Sequence, residues 1–219
     1  MSDDAQPATG DDARDPAPQT WLELVAVIVL SATTILTAWS AFQASKWGGA
    51  MSIAFSEASS ARIESTRLDG AADVRTANQL GLWTEWVSAT TDQDVALATF
   101  LVERFPEPLA TAHEDWLAAG GLDPDAPASP FDVPSYVLPE RVEAAAASER
   151  AGERFRAALR NNQRGDNYTV LTVLFATVLF FTAMSGRVRA VRSQQALLAM
   201  GVTLGAVGLV LLLTFPKLV

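Results

Sequence analysis

Charged residues are absent from three long stretches of the chain. These stretches cover residues 24–45, 167–186 and 193–216, and most of their side chains are apolar. A helix needs about 20 residues to cross the roughly 30 Å hydrocarbon core of a bilayer. Each stretch reaches that length, so the pattern predicts three transmembrane helices, at residues 21–45, 167–186 and 196–216.

The residues between the first two spans, 46–166, have the helical pattern of a water-soluble domain. Residues 45–88 are rich in Ala, Ser and Arg and contain few helix breakers. Five prolines mark a loop over residues 122–139, and Pro139 suits the first turn of a helix that leads into the second span. The predicted fold class is therefore all-α, an integral membrane protein with a helical extramembrane domain inserted between the first and second spans. We expect both spans to continue outward as long helices that pack on each other.

Two short helices are predicted before the proline-rich loop. Residues 90–94 offer two N-caps for the first helix, Thr90 with Gln93 or Thr91 with Asp94. The prolines at positions 106 and 108 end that helix. The second covers about residues 109–119 and is closed by a pair of glycines.

The regions outside the spans indicate a topology. Residues 1–20 are rich in Asp, Ala and Pro and are predicted to be disordered, because they cannot bury apolar surface. Three arginines crowd the short loop at residues 187–195. Since short cytoplasmic loops are rich in Lys and Arg, the loop and the N-terminus are predicted to be cytoplasmic and residues 46–166 extracytoplasmic, in the cell (inner) membrane. Basic residues beside the inserted domain argue for the opposite orientation.

One face of the first span is polar. At about 100° per residue, Thr33, Thr37, Ser40, Gln43 and Trp47 fall within one sector of the helix. Hydroxyl and amide groups can replace part of an ion's hydration shell, so the first four are candidate pore-lining residues of a homo-oligomer. The alternative is helix packing, because hydroxylated side chains let membrane helices approach closely and hydrogen-bond. The pattern leaves both interpretations open.

Two further groups of residues suit a membrane helix. Trp39 and Trp47 lie near the predicted outer interface, where amphipathic indole rings anchor helices. In the last span, Gly201 and Gly205 form a GxxxG pair that Gly208 extends. Such glycines predict close helix packing, within the chain or with a neighbouring copy.

A row of arginines precedes the second span. Arg156, Arg160 and Arg164 recur at every fourth residue, on one side of the predicted helix. They are a candidate basic collar that draws anions or lipid headgroups. The alternative is a solvated helix face whose arginines pair in part with acidic residues nearby.

The composition excludes several kinds of chemistry. The chain has no cysteine, so disulfides and thiolate sites are absent, and its one histidine, His113, has no metal-ligand spacing around it. A formal net charge of −9 argues against nucleic-acid binding. We expect no enzymatic activity, no metal and no cofactor. The expected partners are the lipid bilayer, further copies of the chain and an unidentified protein that binds the outer domain.

The spans and their flanking motifs resemble a known family. The first span carries a W-x-x-(Y/F)-Q-A motif at residues 39–44, the connection to the last span reads GRVRAVR, and the last span contains GVTLGAVGLVLLL. The layout resembles bacterial three-span membrane proteins that are catalogued only as a domain of unknown function. That resemblance implies no activity.

Two functions fit these patterns. The first is a channel-like pore lined by the polar face of the first span, with the acidic outer domain concentrating cations near its mouth. The second is a non-conducting, membrane-anchored scaffold or accessory protein whose outer helical domain binds a partner.

Overall fold

The computed structural model describes residues 17–218, with side chains described from residue 21, and these residues form five α-helices. No β-strand occurs within that range, and the predicted all-α fold class is confirmed. The helices are α1 (Ala17–Thr91), α2 (Val95–Val102), α3 (Leu109–Ala118), α4 (Pro139–Ser185) and α5 (Val191–Thr214), with a short 3₁₀ turn at Pro130–Asp132.

Three of these helices are long and apolar enough to cross a membrane. The most apolar windows of α1, α4 and α5 have mean hydropathies of 2.0, 1.8 and 2.5. Only 11%, 33% and 22% of these windows is buried inside the protein, so most of their side chains face outward. Apolar surface exposed over the length of a bilayer is covered by lipid. The protein is therefore embedded in a membrane, and its spans contact the bilayer.

The first helix is longer than the first span. α1 begins at Ala17, so the last four residues of the predicted disordered segment are helical, and the rest of that segment lies outside the described residues. From there α1 runs without interruption to Thr91. α4 likewise joins the stretch after the proline-rich loop to the second span, and it begins at Pro139 as predicted.

The predicted N-caps of α2 are wrong. Thr90 and Thr91 both belong to the last turn of α1, where the Thr91 hydroxyl donates to a carbonyl one turn earlier. Gln93 then adopts a positive φ of 64°, and the carboxylate of Asp94 accepts a hydrogen bond of 3.0 Å from Leu97 N. The pattern misled because a threonine hydroxyl bonds as readily inside a helix as at its start.

The chain forms two compact units. Among the described residues, we call 17–51 and 159–218 the span unit and 52–158 the inserted unit. The inserted unit contains most of the predicted extramembrane domain, and the span unit contains the three predicted spans.

In the inserted unit, α1 and α4 pack along a seam of mostly small residues. The Ser65 hydroxyl donates to the Ala144 carbonyl at 3.0 Å, and the Phe55 and Phe155 rings meet edge to face. Buried positions on α1 recur at every seventh residue, which is the spacing of a left-handed helix pair. The seam consists of Ala58, Ser65 and Ala72 on α1 and of Ala144, Ala147, Ala151 and Ala158 on α4.

An aromatic cluster forms the core of the same unit. Its buried members come from α1, α3 and the connections on either side of α3: Trp86, Phe105, Leu109, Ala112, Trp116 and Val133. Trp116 is 1% exposed, and its indole N–H donates to the Pro127 carbonyl at 2.6 Å. This bond ties the proline-rich loop to α3.

Candidate functional site

The structure places the polar face of α1 inside the span unit. Ser40 and Gln43 are 0% exposed and Thr33 is 3% exposed. Thr37 is half-buried, and its hydroxyl donates to the Thr33 carbonyl at 2.7 Å. A side chain enclosed within one chain is shielded from a water path between chains, so this burial favours the packing interpretation over pore lining.

Gln43 binds the segment that follows α5. Its side-chain Oε1 accepts a hydrogen bond of 3.0 Å from the Leu218 N–H, and its Nε2 donates to the Leu218 carbonyl at 3.2 Å. Both polar ends of the amide are thus used by one backbone residue. Leu218 lies beyond α5, so its backbone N–H and carbonyl have no helical hydrogen-bond partners. The Gln43 side chain supplies both partners.

Tyr168 holds the same segment from α4. Its hydroxyl donates to the Pro216 carbonyl at 3.0 Å, and its ring packs edge to face on Phe215 at 5.7 Å between centroids. Phe215 and Leu218 join the core of the span unit beside Tyr168 and Trp47. Residues 215–218 are therefore fixed by both α1 and α4, a role of Gln43 and Tyr168 that sequence reasoning missed.

The two predicted interface anchors lie in different surroundings. Trp47 is only 5% exposed and packs in the core of the span unit, with the guanidinium of Arg164 over its ring at 4.6 Å from the centroid. An anchor must reach the headgroups, so the observed role of Trp47 is packing, which differs from the prediction. Trp39 is 38% exposed, and its anchoring role stays a prediction.

The glycines of α5 pack on α4 of the same chain. A Cβ added at Gly208 would lie 2.7 Å from Cε1 of Phe175, and one added at Gly201 would lie 2.7 Å from Oγ1 of Thr182. At Gly205 the nearest atom would be a valine methyl of α4, at the ordinary contact distance of 3.6 Å. The glycine strip thus lets α5 approach α4, which settles the partner that the pattern left open.

The three arginines of the predicted collar do not share one environment. Arg156 and Arg160 are exposed, and neither pairs with a carboxylate among the described residues. Arg164 is half-buried on Trp47. The expected pairing with acidic residues nearby is therefore not found for these three, whereas their neighbour Arg154 reaches Glu57 on α1 at 3.3 Å.

A groove opens on the inserted unit where α1, the α2–α3 connection and the first turn of α4 meet. It is open to solvent and has a volume of about 430 Å³. Its apolar walls are formed in part by Val74, Leu82 and Pro106, and its charged groups belong to Arg75, Glu107 and Glu140.

The polar floor of the groove is held in place by hydrogen bonds. Gln79 donates to the Glu107 carbonyl at 3.1 Å and accepts from the Tyr136 hydroxyl at 2.8 Å. Arg75 pairs with Oε1 of Glu140 at 2.9 Å, while Oε2 of Glu140 is buried without a hydrogen-bond partner. One carboxylate oxygen beside the groove therefore lacks a donor, which is a costly state for a buried acceptor.

His113 lies in the aromatic cluster rather than in the groove. Its ring contacts those of Trp86, Phe105 and Trp116, and its Nε2 is buried without a hydrogen-bond partner. Burial lowers the pKa of His113 below its ordinary value, and the charge of Glu114 opposes this in part. Within the side chains that the structure describes, no three His, Asp or Glu residues are grouped so that they could hold a metal ion.

Comparison with known proteins gives no relative for this chain. No family model, no curated protein and no solved structure matches it. The resemblance drawn from the W-x-x-(Y/F)-Q-A motif stays a prediction, and the arrangement of side chains is the basis for the functional argument.

Proposed function

We propose that this protein is a non-conducting, membrane-anchored accessory protein whose inserted unit binds a protein partner. The observation that carries the proposal is the burial of the polar face of α1, in which Ser40 and Gln43 have no exposed surface and Gln43 is bonded to Leu218. The polar side chains that could form a pore wall are buried or half-buried within the chain, and Gln43 holds the segment after α5.

The other hydroxyls of the spans support the same proposal. Thr34 and Thr203 are exposed and Thr177 is half-buried, and each donates to the carbonyl of the residue four positions earlier. A hydroxyl that is satisfied by its own helix needs no water and is tolerated against lipid. These threonines therefore give no reason to place a water-filled path beside the spans.

The groove of the inserted unit indicates the chemistry of the partner. It contains two carboxylates, of Glu107 and Glu140, against one guanidinium, which Glu140 already binds through Oε1. A basic side chain from a partner would be attracted by these two carboxylates, of which that of Glu107 is exposed. Its aliphatic stem would lie on the walls formed by Val74 and Leu82. The partner is thus a protein segment that presents a Lys or Arg.

The proposal includes the location and assembly expected from the sequence. We propose the cell (inner) membrane, with the α4–α5 connection in the cytoplasm and the inserted unit on the other side; the arginines of that connection support this orientation. The proposal assigns no catalytic activity and no cofactor. We also propose that the protein forms homo-oligomers, whose contacts lie outside the glycine strip because that strip packs within the chain. Native mass spectrometry in detergent measures the number of subunits.

Conduction is tested on the full chain reconstituted in liposomes. We expect cation flux equal to that of empty vesicles. Flux above that level, reduced by Thr37→Val, would establish the channel and overturn the proposal. This substitution keeps the shape of a half-buried side chain whose hydroxyl bonds only to its own helix, so loss of folding would not explain the reduction.

Partner binding is tested by placing a photo-reactive amino acid in the groove at Leu82. The same amino acid at Ser148, an exposed position on α4, is the control. In native membranes we expect an adduct from position 82 only, joined to a segment that contains Lys or Arg. Glu140→Gln should reduce the adduct, whereas Glu143→Gln, which removes the same charge from an exposed site outside the groove, should leave it unchanged. Equal reduction by both variants contradicts binding in the groove.

A further inference from the structure

The span unit gathers basic residues at one of its ends. Each span contributes one of them where its apolar stretch stops: Lys46 from α1, Arg164 from α4 and Lys217 after α5. Three contacts show that these positions meet. Gly165 lies against Ala44 and Trp47, Gln43 binds Leu218, and Tyr168 binds Pro216.

Arg164 is held ready for an anion. Its guanidinium lies over the Trp47 ring, and that ring is fixed because it is buried among the side chains of α4 and α5. No carboxylate pairs with Arg164 among the described residues, whereas Arg104, which also lies over a ring, pairs with Glu103. A planar guanidinium stacked on a ring keeps its N–H groups free for a bidentate acceptor.

The charges around Arg164 favour an anion. Arg160, Lys46 and Lys217 are exposed, and the one carboxylate close in sequence, that of Asp166, accepts a hydrogen bond of 3.0 Å from Asn162. Positive charge at the level where apolar spans end is the arrangement that attracts anionic lipid headgroups. The spans expose large apolar side chains near this end, including Phe42 and Leu213, and acyl chains would cover them.

We propose that this end of the span unit binds the phosphate of an anionic phospholipid headgroup, with Arg164 as the principal phosphate ligand and Trp47 as its platform. Lys46 and Lys217 add charge around the phosphate. The site lies wholly within the span unit, so it does not depend on the function proposed for the inserted unit.

Native mass spectrometry of the full chain in detergent tests this site. Phosphatidylglycerol and phosphatidylcholine with the same acyl chains are added, and we expect preferential adducts with phosphatidylglycerol. Arg164→Gln should lower the affinity for phosphatidylglycerol about fivefold, as expected for one basic group at a membrane surface. The affinity of Arg164→Lys should lie between those of the unchanged protein and Arg164→Gln, because lysine keeps the charge but lacks the planar guanidinium. Arg192→Gln, in the first turn of α5 at the opposite end of that helix, is the matched control.

A second variant separates binding from folding. Lys217 is exposed, so Lys217→Gln should weaken phosphatidylglycerol binding without changing the thermal stability of the protein in detergent. Equal losses of phosphatidylglycerol affinity for Arg164→Gln and Arg192→Gln would overturn the site. Unchanged affinity in Arg164→Gln would also overturn it, and so would unchanged affinity in Lys217→Gln. Competition with inorganic phosphate identifies the source of the phosphate group. If it displaces the lipid at matched ionic strength, the site binds free anions and the lipid assignment is wrong.

Discussion

The two units pack their helices with different side chains. In the inserted unit, α1 contributes Trp86 to a core of large rings, and the helices are linked at the surface by ion pairs such as Arg154 with Glu57. In the span unit, α4 meets α5 at glycines, and a buried amide and a phenol hold the segment after α5.

The units use different side chains because packing in water and packing in lipid are driven by different forces. Burying an aromatic ring away from water stabilises a soluble unit by the full transfer of its apolar surface. In lipid that transfer contributes little, because hydrocarbon surrounds the helix before and after it packs, so close contact and hydrogen bonds decide the arrangement. The same substitution should therefore have different effects in the two units.

The largest effect is expected in the aromatic core. Trp116→Ala should destabilise the inserted unit by about 3–5 kcal/mol, because it leaves a cavity among rings that enclose it and frees the Pro127 carbonyl. Hydrogen–deuterium exchange of α3 in the full-length protein measures this loss. Trp39→Ala, at an exposed ring in the span unit, should change stability by less than about 0.5 kcal/mol. Equal effects would contradict the contrast between the units.

A smaller but sharper effect is expected at the glycine strip. Gly208→Ala brings a methyl group to 2.7 Å from the fully buried Phe175 ring, so the ring or the helix must shift, and should cost about 1–3 kcal/mol. Gly205→Ala meets only a valine methyl at 3.6 Å and is the control. Thermal unfolding in detergent compares the two variants. If both alanines are tolerated, close approach of α5 to α4 is not what orders the span unit.

Two buried glutamines, one in each unit, permit a direct comparison. Gln43→Met leaves the N–H and carbonyl of Leu218 unpaired and should cost about 1–3 kcal/mol. Gln79→Met leaves the Glu107 carbonyl and the Tyr136 hydroxyl unpaired, but water in the groove replaces the lost bonds in part, so the cost should be smaller. Thermal unfolding shows which of the two variants loses more stability. A larger loss for Gln79→Met would show that water does not reach the groove.

The smallest effect concerns pH and belongs to the inserted unit alone. Because the pKa of His113 in the folded protein lies below its ordinary value of 6.5, the unfolded chain takes up a proton first as the pH falls. Stability of this unit should therefore decrease as the pH drops through about 6.5, and this loss should level off below the pKa of the folded state. Hydrogen–deuterium exchange of α3 above and below that pH measures the loss of stability. His113→Phe should remove the part of the pH dependence that comes from this histidine.

Properties that one stretch of the chain carries by itself were the most predictable from the sequence. The three spans were predictable because lack of charge and length are local properties, and the helix start at Pro139 was predictable because proline fits a first turn. The polar face of α1 was also visible in the sequence. Its partner was not, because Leu218 lies 175 residues from Gln43 and has an apolar side chain that gives no sign of its backbone bonds.

The groove could not be predicted for a related reason. Its walls come from three separate elements, and Glu140 pairs there with Arg75 of another helix. The buried position of Trp47 has the same origin, since the ring is enclosed by α4 and α5. Periodicity identifies which face of a helix is buried, but the groups that cover the face depend on the tertiary fold.

The alanine seam of the inserted unit also affects helix register. If α4 slipped along α1 by one heptad, alanines such as Ala151 and Ala158 would again lie opposite small residues, so the seam alone does not distinguish one alignment from the next. The alignment is specified by polar contacts that the slip would break: the Ser65 bond to Ala144 and the pairs of Arg141 with Asp69 and Asp73. Exposed ion pairs add little to stability. Here they specify one register of α4 on α1, which the small side chains of the seam leave undetermined.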